Sequence, residues 1–360
     1  MYRLLLIMIF FSFHAMAQTA VPFDSPRWKI TGQEAVKETH LGQHALKLKS
    51  GNALLTDANF RNGIIEFDIA LSKARFFPGI DFRIQDEANF EEYYLRPHQS
   101  GNPDAMQYTP VYNQMGGFQL YYGTGYNNAA VLPFDHWLHI KMVVKEKEAE
   151  IYFDNGTEPV LYINPLDREP AAGMISLANP WNAVAWYSNF MYTSTDAVTI
   201  GSFRQFPKLP EGTITSWDVS TVFSEKQLDG HTMLHAADTA SLHWKTLWAD
   251  HNGITNVSVL SVVTQEKNTV FVRKVIDVPS ARIQKMSFGF SDKARVYLNG
   301  RLLYEGNDEF VTRDYRFLGT IGYWDALYLP LQKGRNELLI ALSEAFGGWG
   351  VKARLVDEGH

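Results

Sequence analysis

Apolar and polar residues alternate in short runs along most of the chain. Between residues 32 and 193 no amphipathic helix of three turns is indicated. The period of two is clearest at Ile80, Phe82 and Ile84, which would share one face of a strand. Runs that suit strands in this region are 62–71, 79–85, 91–98, 117–123, 136–145, 148–155 and 159–164. The pattern predicts an all-β, antiparallel sandwich.

A segment rich in Pro, Gly and polar residues, 195–212, interrupts the alternation, which then resumes. The sequence therefore predicts two antiparallel β-sandwich (jelly roll) modules in tandem, 18–196 and 213–360, with a linker at 197–212. Asn299-Gly300 is the strongest hairpin signal, and it would place Leu298 opposite Arg301 and Val296 opposite Leu303. The later runs are 213–223, 257–265, 269–279, 285–291, 294–306, 325–331, 335–344 and 349–357.

The first 17 residues have the pattern of a secretory signal peptide. Arg3 supplies a positive charge, an apolar run follows, and Ala15-Met16-Ala17 matches a cleavage site after Ala17. We expect export to the periplasm or the medium of a bacterium. A buried N-terminal helix is the alternative.

The composition of the chain disfavours some classes of binding partner and of membrane anchor. The chain has no cysteine, so neither disulfides nor a cysteine-linked lipid anchor is expected, and no later apolar run suggests another membrane anchor. The net charge of −6 and the scattered basic residues disfavour nucleic acid. Abundant aromatic residues (9 Trp, 17 Tyr and 23 Phe) suit both sandwich cores and sugar-stacking surfaces.

Several motifs in the first module are shared with a known fold. They are G-I-x-F-R at 79–83, W-x-x-I-K at 137–141, A-x-I-Y-F-D-N at 149–155 and A-A-G at 171–173. Residues 25–193 thereby resemble a concanavalin A-like jelly roll and are similar to laminin G-like and 3-keto-disaccharide hydrolase-type domains. The resemblance implies that this module is a jelly roll and that its ligand is a carbohydrate.

Pairing of 79–85 with 90–98 would place a polar set on one strand face. Carboxylates and guanidinium groups bind vicinal hydroxyls, and aromatic rings stack on sugars. The alternative is a solvated face with cross-strand ion pairs of about 1 kcal/mol or less. The candidate ligand-binding residues of this module are Asp81, Arg83, Tyr94, Arg96, His98, Tyr108 and Trp181.

Catalysis has weaker support in the sequence. Glycoside hydrolysis uses two carboxylates, for which Glu66 and Asp68, two apart on one face, are the candidates. Hydrolysis of a 3-keto sugar would need instead one base and a metal or electrophile, for which Asp81, Glu92 and His98 are the candidates. No serine-nucleophile or phosphate-loop motif occurs. No metal-ligand spacing is present either. A structural calcium ion is compatible with a jelly roll, although the sequence does not locate it, and no other cofactor is indicated.

The second module carries A-R-V-Y-L-N-G-R-L-L-Y at 294–304 and L-x-K-G-x-N-E-L at 331–338. It resembles a galactose-binding-like jelly roll, as in the sugar-binding module of family 2 glycosidases, which implies an accessory role without catalytic residues. Further ligand-binding candidates lie at the ends of its strands. Alternatively, their aromatic rings pack in the core, and Asp292 and Arg313 form a structural ion pair. These candidates are Asp292, Arg313, Trp324 and Trp349.

The sequence thus favours an exported protein that binds carbohydrate. A glycoside hydrolase acting on modified disaccharides or polysaccharide is the alternative, and a structural protein that makes protein contacts is the third hypothesis.

Overall fold

A computed structural model of the chain describes residues 18–312 and 318–356. The architecture is almost entirely β, with large curled antiparallel sheets that are consistent with β-sandwich jelly rolls. The predicted fold class is confirmed. Helical segments in the described ranges are single short turns: 3₁₀ turns at Pro97–Gln99, Glu225–Leu228 and Val257–Val259, and α1 at Ala236–Thr239.

One curled sheet occupies residues 18–196, which we call the N-terminal half. Its strands are β1 Thr19–Ala20, β2 Trp28–His40, β3 Gln43–Phe60, β4 Gly63–Leu71, β5 Gly79–Asp86, β6 Asn89–Leu95, β7 Met106–Tyr112, β8 Met115–Gly116, β9 Asn127–Asn128, β10 Leu138–Lys145, β11 Glu148–Phe153, β12 Leu161–Ile163, β13 Gly173–Asn179 and β14 Ala185–Ser194. The main path of the sheet is β12-β11-β10-β4-β14-β3-β13-β5-β6-β7-β8.

The long strand β3 connects the two layers of this half. Its residues 46–48 pair with β14, and its residues 51–60 pair with β13. The sheet therefore curls over itself and encloses a core. Phe67 from one layer and Phe82 and Tyr93 from the other are completely buried there.

Residues 213–356, which we call the C-terminal half, form two further sheets. The strands are β15 Ser216–Ser220, β16 Trp244–Trp248, β17 Thr255–Asn256, β18 Thr269–Val278, β19 Arg282–Ser291, β20 Lys293–Leu298, β21 Arg301–Asn307, β22 Asp325–Leu331, β23 Gly334–Ser343 and β24 Gly350–Val356. The orders are β16-β15-β18-β23-β20-β21 and β17-β24-β19-β22. Phe288, Phe290, Val296 and Ile340 pack between them.

The hairpin of β20 and β21 confirms the predicted turn and corrects its register. Asn299 and Gly300 have φ angles of 51° and 82°, as a type I′ turn requires. Leu298 lies opposite Arg301, as predicted, but Val296 lies opposite Tyr304 and not Leu303. The register shifts between Val296 and Tyr297, because a bulge places an extra residue in β21.

Two predicted strands are wrong. Residues 117–123 form turns, in which the amides of Leu120 and Tyr121 donate to the carbonyl of Gly117. At 257–265 the chain begins with a 3₁₀ turn, because the Asn256 side chain accepts a hydrogen bond from the Ser258 amide. Leu120 and Tyr121 of the first segment are buried in a core that includes Ile254 of the C-terminal half. Val257 of the second segment is buried in the core of the C-terminal half, in the 3₁₀ turn and not in a sheet.

Gln119 links the two halves at this contact. Its side chain is completely buried, donates to the carbonyl of Leu318 (3.1 Å) and accepts from the Ser291 hydroxyl (2.9 Å). Its amide donates to the Gly347 carbonyl (3.0 Å), and its carbonyl accepts from the Ile321 amide (2.9 Å). Buried polar groups with full hydrogen bonding fix a single arrangement of the segments that they join.

The predicted module boundaries and the linker at 197–212 stay predictions. The predicted signal peptide, residues 1–17, lies outside the described residues. In the ranges that the structure covers, no helix has the length and apolar character needed to span a membrane.

Candidate functional site

The predicted pairing of β5 with β6 is confirmed, and β7 extends it. Asp81 lies opposite Glu92, and Glu92 lies opposite Thr109. In the next row, Tyr94 lies opposite Gln107. Because neighbouring residues of a strand point to opposite faces, these side chains lie on the face turned away from the core, which we call the outer face.

Arg83 does not reach the outer face, so its predicted position there is wrong. Its backbone adopts a left-handed φ of 51°, and the register of β5 and β6 shifts between Phe82 and Asp86. The bulge reverses the alternation of side chains at this point. Arg83 is buried and donates to the carbonyls of Arg61 and Glu146, both at 2.7 Å.

Asp81 and Glu92 form a carboxylate pair on the floor of the outer face. Burial and the neighbouring Glu92 raise the pKa of Asp81 well above its usual value. Burial also raises the pKa of Glu92, although a hydrogen bond from Thr109 (3.1 Å) opposes this. Asp81 Oδ1 is buried and has no hydrogen-bond partner among the described residues. The pair therefore favours a shared proton and keeps an acceptor free for a ligand.

Tyr94, Arg96 and Gln107 form one wall of the site. Arg96 donates to the Tyr94 hydroxyl (3.0 Å) and to the Gln107 side chain, and its guanidinium lies 5.0 Å from the centroid of the Tyr94 ring. All three are buried. The wall is rigid because each polar group has a partner, so the predicted sites Tyr94 and Arg96 are brought together.

Phe77 organises an aromatic rim beside this wall. Its ring lies 5.8 Å from the Tyr94 centroid, 5.3 Å from that of His98 and 4.8 Å from that of Trp181. Trp181 is 43% exposed, whereas His98 Nδ1 is buried without a described partner. Burial and the charges of Arg75 and Arg96 lower the pKa of His98, so its ring is neutral at pH 7.

Tyr108 lies on the opposite face, within the core. It is completely buried and donates to Glu91 (2.6 Å), while it accepts from the Asp167 amide (2.7 Å). The predicted proximity of Tyr108 to the sugar-binding candidates is wrong, because Tyr108 pairs with Tyr93 and so follows the core alternation.

The three described candidates of the C-terminal half have different environments. Trp349 is completely buried and donates to the Leu342 carbonyl (3.0 Å). Asp292 is buried and accepts from the amides of Ala345 and Phe346. Trp324 is 59% exposed on a loop. Arg313 lies outside the described residues.

Glu66 and Asp68 lie together on the other layer and enclose His139. Nδ1 of His139 is 2.7 Å from Asp68 Oδ1, and Nε2 is 3.6 Å from Glu66 Oε2. Asp68 and Glu66 raise the pKa of His139 to about 9, and the hydrogen bond from His139 lowers the pKa of Glu66. The pair is therefore ionised and charge-compensated, which does not suit the protonated acid of a glycosidase.

Phe77, Gln107 and Thr109 were not found from the sequence. Phe77 lies in a loop outside any alternating run, and β7 was not predicted at all. The one signal for β7 is the alternation of Met106, Tyr108 and Pro110 against Gln107 and Thr109, in a strand interrupted by a proline.

No protein-family model matches the chain, and neither does any curated protein. Solved structures with partial similarity include the carbohydrate-binding module CBM66 from Bacillus subtilis (16% identity, 46% of this chain and 93% of that chain, TM-score 0.34). A β-glucanase from Bacillus licheniformis (13% identity, 49% and 98%, TM-score 0.35) is also similar. A third is a Bacillus subtilis protein of unknown function with a galectin-like fold (12% identity, 48% and 94%, TM-score 0.36). Likenesses this low do not bear on function.

Proposed function

We propose that the protein binds carbohydrate at the outer face of β5, β6 and β7. The observation that carries this proposal is the combination of a partly exposed indole, Trp181, with two buried polar atoms that lack described partners, Asp81 Oδ1 and His98 Nδ1. A sugar ring offers apolar C–H faces to the indole and hydroxyl groups to the polar atoms.

Trp181 supplies the stacking surface. Phe77 supports the indole from one side, so its orientation is restrained before a ligand arrives. Restraint of this kind reduces the entropy lost on binding. Stacking on such a ring and burial of its apolar surface together contribute about 2 kcal/mol, which corresponds to roughly 30-fold in affinity.

The carboxylate pair supplies directional hydrogen bonds. Asp81 Oδ1 has no described partner, so a sugar hydroxyl would satisfy an acceptor that is otherwise desolvated. An unsatisfied buried acceptor costs about 1–3 kcal/mol, which makes a donating ligand favourable. A hydrogen bond from the Thr109 hydroxyl holds Glu92 beside Asp81.

A glycan array followed by titration calorimetry tests the proposal. Trp181→Ala should weaken binding of the best glycan by about 30-fold. The matched control is Trp248→Ala, because Trp248 is 70% exposed on β16 and is absent from the site. If Trp248→Ala abolishes binding and Trp181→Ala does not, the site is wrong. If no glycan binds, the proposed function is wrong, and protein contacts become the better explanation.

Hydrolysis of a glycoside is the second candidate, and the Asp81–Glu92 pair favours it. Two adjacent carboxyl groups with raised pKa values provide one protonated acid and one carboxylate, as glycosidases require. The protonated group would donate to the leaving oxygen, and the carboxylate would act as nucleophile or base.

Turnover of a panel of glycosides, modified disaccharides included, separates the two candidates. A hydrolase would lose turnover in Asp81→Asn and Glu92→Gln but keep it in Glu66→Gln, which removes a carboxylate from the other layer. A protein that only binds would turn over no member of the panel.

The proposed setting is outside the cytoplasm, with residues 1–17 acting as a signal peptide. Expression of the full chain in a bacterial host, followed by mass spectrometry of the exported protein, should give a mature chain that begins at Gln18. Retention of Met1 in the recovered protein would contradict this setting.

A further inference from the structure

Three potential metal ligands from distant parts of the chain meet between the two halves. Asp167 belongs to the N-terminal half, whereas Asp250 and His251 belong to the C-terminal half. One ligand atom from each lies within 4.8 Å of the others. None of the three was a candidate from the sequence, because their spacing matches no ligand motif.

Both carboxylates present unused buried oxygens. Asp250 Oδ1 accepts from the amides of Asn252 (2.8 Å) and Ile254 (2.9 Å), but Oδ2 is buried and has no hydrogen-bond partner among the described residues. Asp167 Oδ2 is likewise buried without a described partner. Two such oxygens cost free energy unless a cation or a proton satisfies them.

The pKa values reflect this crowding of like charges. Burial, the nearby Asp250 and Glu91 raise the pKa of Asp167 well above its usual value, and burial raises that of Asp250 to about 6.

Surrounding groups orient His251. Its ring packs against Phe206, with centroids 4.6 Å apart, and its Nε2 is 3.4 Å from the Tyr126 hydroxyl. That hydroxyl also accepts from the Asn252 side chain (3.0 Å). Partners around the ligands that fix their orientation are a regular feature of metal sites.

We infer that Asp167, Asp250 and His251 bind a divalent transition-metal ion, of which Zn²⁺ is the test case, and that this ion fastens the two halves together. Two carboxylate oxygens and one imidazole nitrogen suit Zn²⁺ or Mn²⁺. Ca²⁺ prefers a shell of six to eight oxygens, so the imidazole disfavours it. The dication would offset both carboxylate charges.

Equilibrium dialysis of the full chain, stripped with a chelator and then exposed to Zn²⁺, tests this inference. One zinc ion per chain should bind, Ca²⁺ should not displace it, and a hundredfold excess of zinc over its Kd should raise the Tm by about 5 °C. Absence of zinc binding by the wild-type chain would overturn the inference without recourse to a variant.

Variants locate the ion. Asp250→Asn and His251→Gln should each lower zinc affinity by at least tenfold and remove the Tm increase, with the circular dichroism spectrum unchanged. The matched control combines Asp238→Asn with His235→Gln, an acid and a histidine that lie together on the exposed surface near α1. Equal zinc binding by Asp250→Asn, His251→Gln and the wild type would contradict the assignment, whatever the result of the sugar-binding tests.

Discussion

At the scale of single residues, the backbone conformation of one position decides what the outer face contains. Asp81 follows the alternation of β5 and reaches the face, whereas Arg83, two residues later, does not. Period-two spacing alone places both on one side. A left-handed residue in a bulge has no reliable signature when it is an arginine, so this part of the site could not be predicted.

Substitution of Arg83 should therefore lower the stability of the protein and leave carbohydrate binding unchanged. Arg83→Ala removes its buried hydrogen bonds to the carbonyls of Arg61 and Glu146, and we expect the free energy of unfolding to fall by about 3 kcal/mol. Urea denaturation measures this. The control is Arg61→Ala, whose half-exposed ion pair with Glu146 contributes about 0.5 kcal/mol or less. An equal loss in both variants would contradict the structural role.

Deprotonation of His139 should make the protein less stable at alkaline pH. Its folded pKa of about 9 exceeds the unfolded value of about 6.5, so its contribution is complete below pH 6.5 and is lost as the pH rises through 9. After screening, the contribution is about 1–2 kcal/mol. Urea denaturation at pH 6 and pH 10 should show a smaller difference for His139→Gln than for the wild type. Identical differences would show that His139 does not titrate as described.

At the scale of elements, several strands were predicted close to their positions and others were missed. β4, β5, β6, β10 and β11 alternate clearly and lie close to their predicted positions. The long pair of β2 and β3 was missed, because much of β2 is exposed on both faces and its sequence is polar. The apolar run at 117–123 was assigned to a strand because its partner surface is the C-terminal half, which local periodicity cannot reveal.

Gly79 fits β5 tightly against β6. A Cβ atom at this position would lie 2.1 Å from the Tyr93 carbonyl oxygen and 2.6 Å from Tyr94 Cα. Gly79→Ala should thus push the strands apart and cost about 2 kcal/mol of unfolding free energy. The control is Gly116→Ala, whose Cβ would meet only ordinary contacts, the nearest at 3.6 Å. If thermal denaturation shows equal stability for the two variants, the close approach of β5 to β6 is wrong.

At the scale of the whole molecule, the two halves should unfold together. Gln119 makes four hydrogen bonds across their contact, and Leu120 and Tyr121 are buried beside it. An interface this well packed couples the stability of the parts that it joins. The predicted tandem arrangement contains no information about such a contact, because each module was inferred from its own strands.

Gln119→Ala should weaken this coupling. It leaves the Leu318 carbonyl without its donor and opens a gap, and we expect a loss of about 2 kcal/mol, seen by calorimetry as a lower Tm or as two separated transitions. The control is Gln332→Ala, at an exposed position. Two independent transitions in the wild-type protein would contradict a joint unit.

A crystal structure with the best-binding glycan of the array tests the proposed function most directly. We predict a sugar ring stacked on the Trp181 indole at about 4–4.5 Å, with a hydroxyl donating to Asp81 Oδ1. A sugar bound at Trp248 or Trp324, with the outer face of β5, β6 and β7 empty, would contradict the proposal.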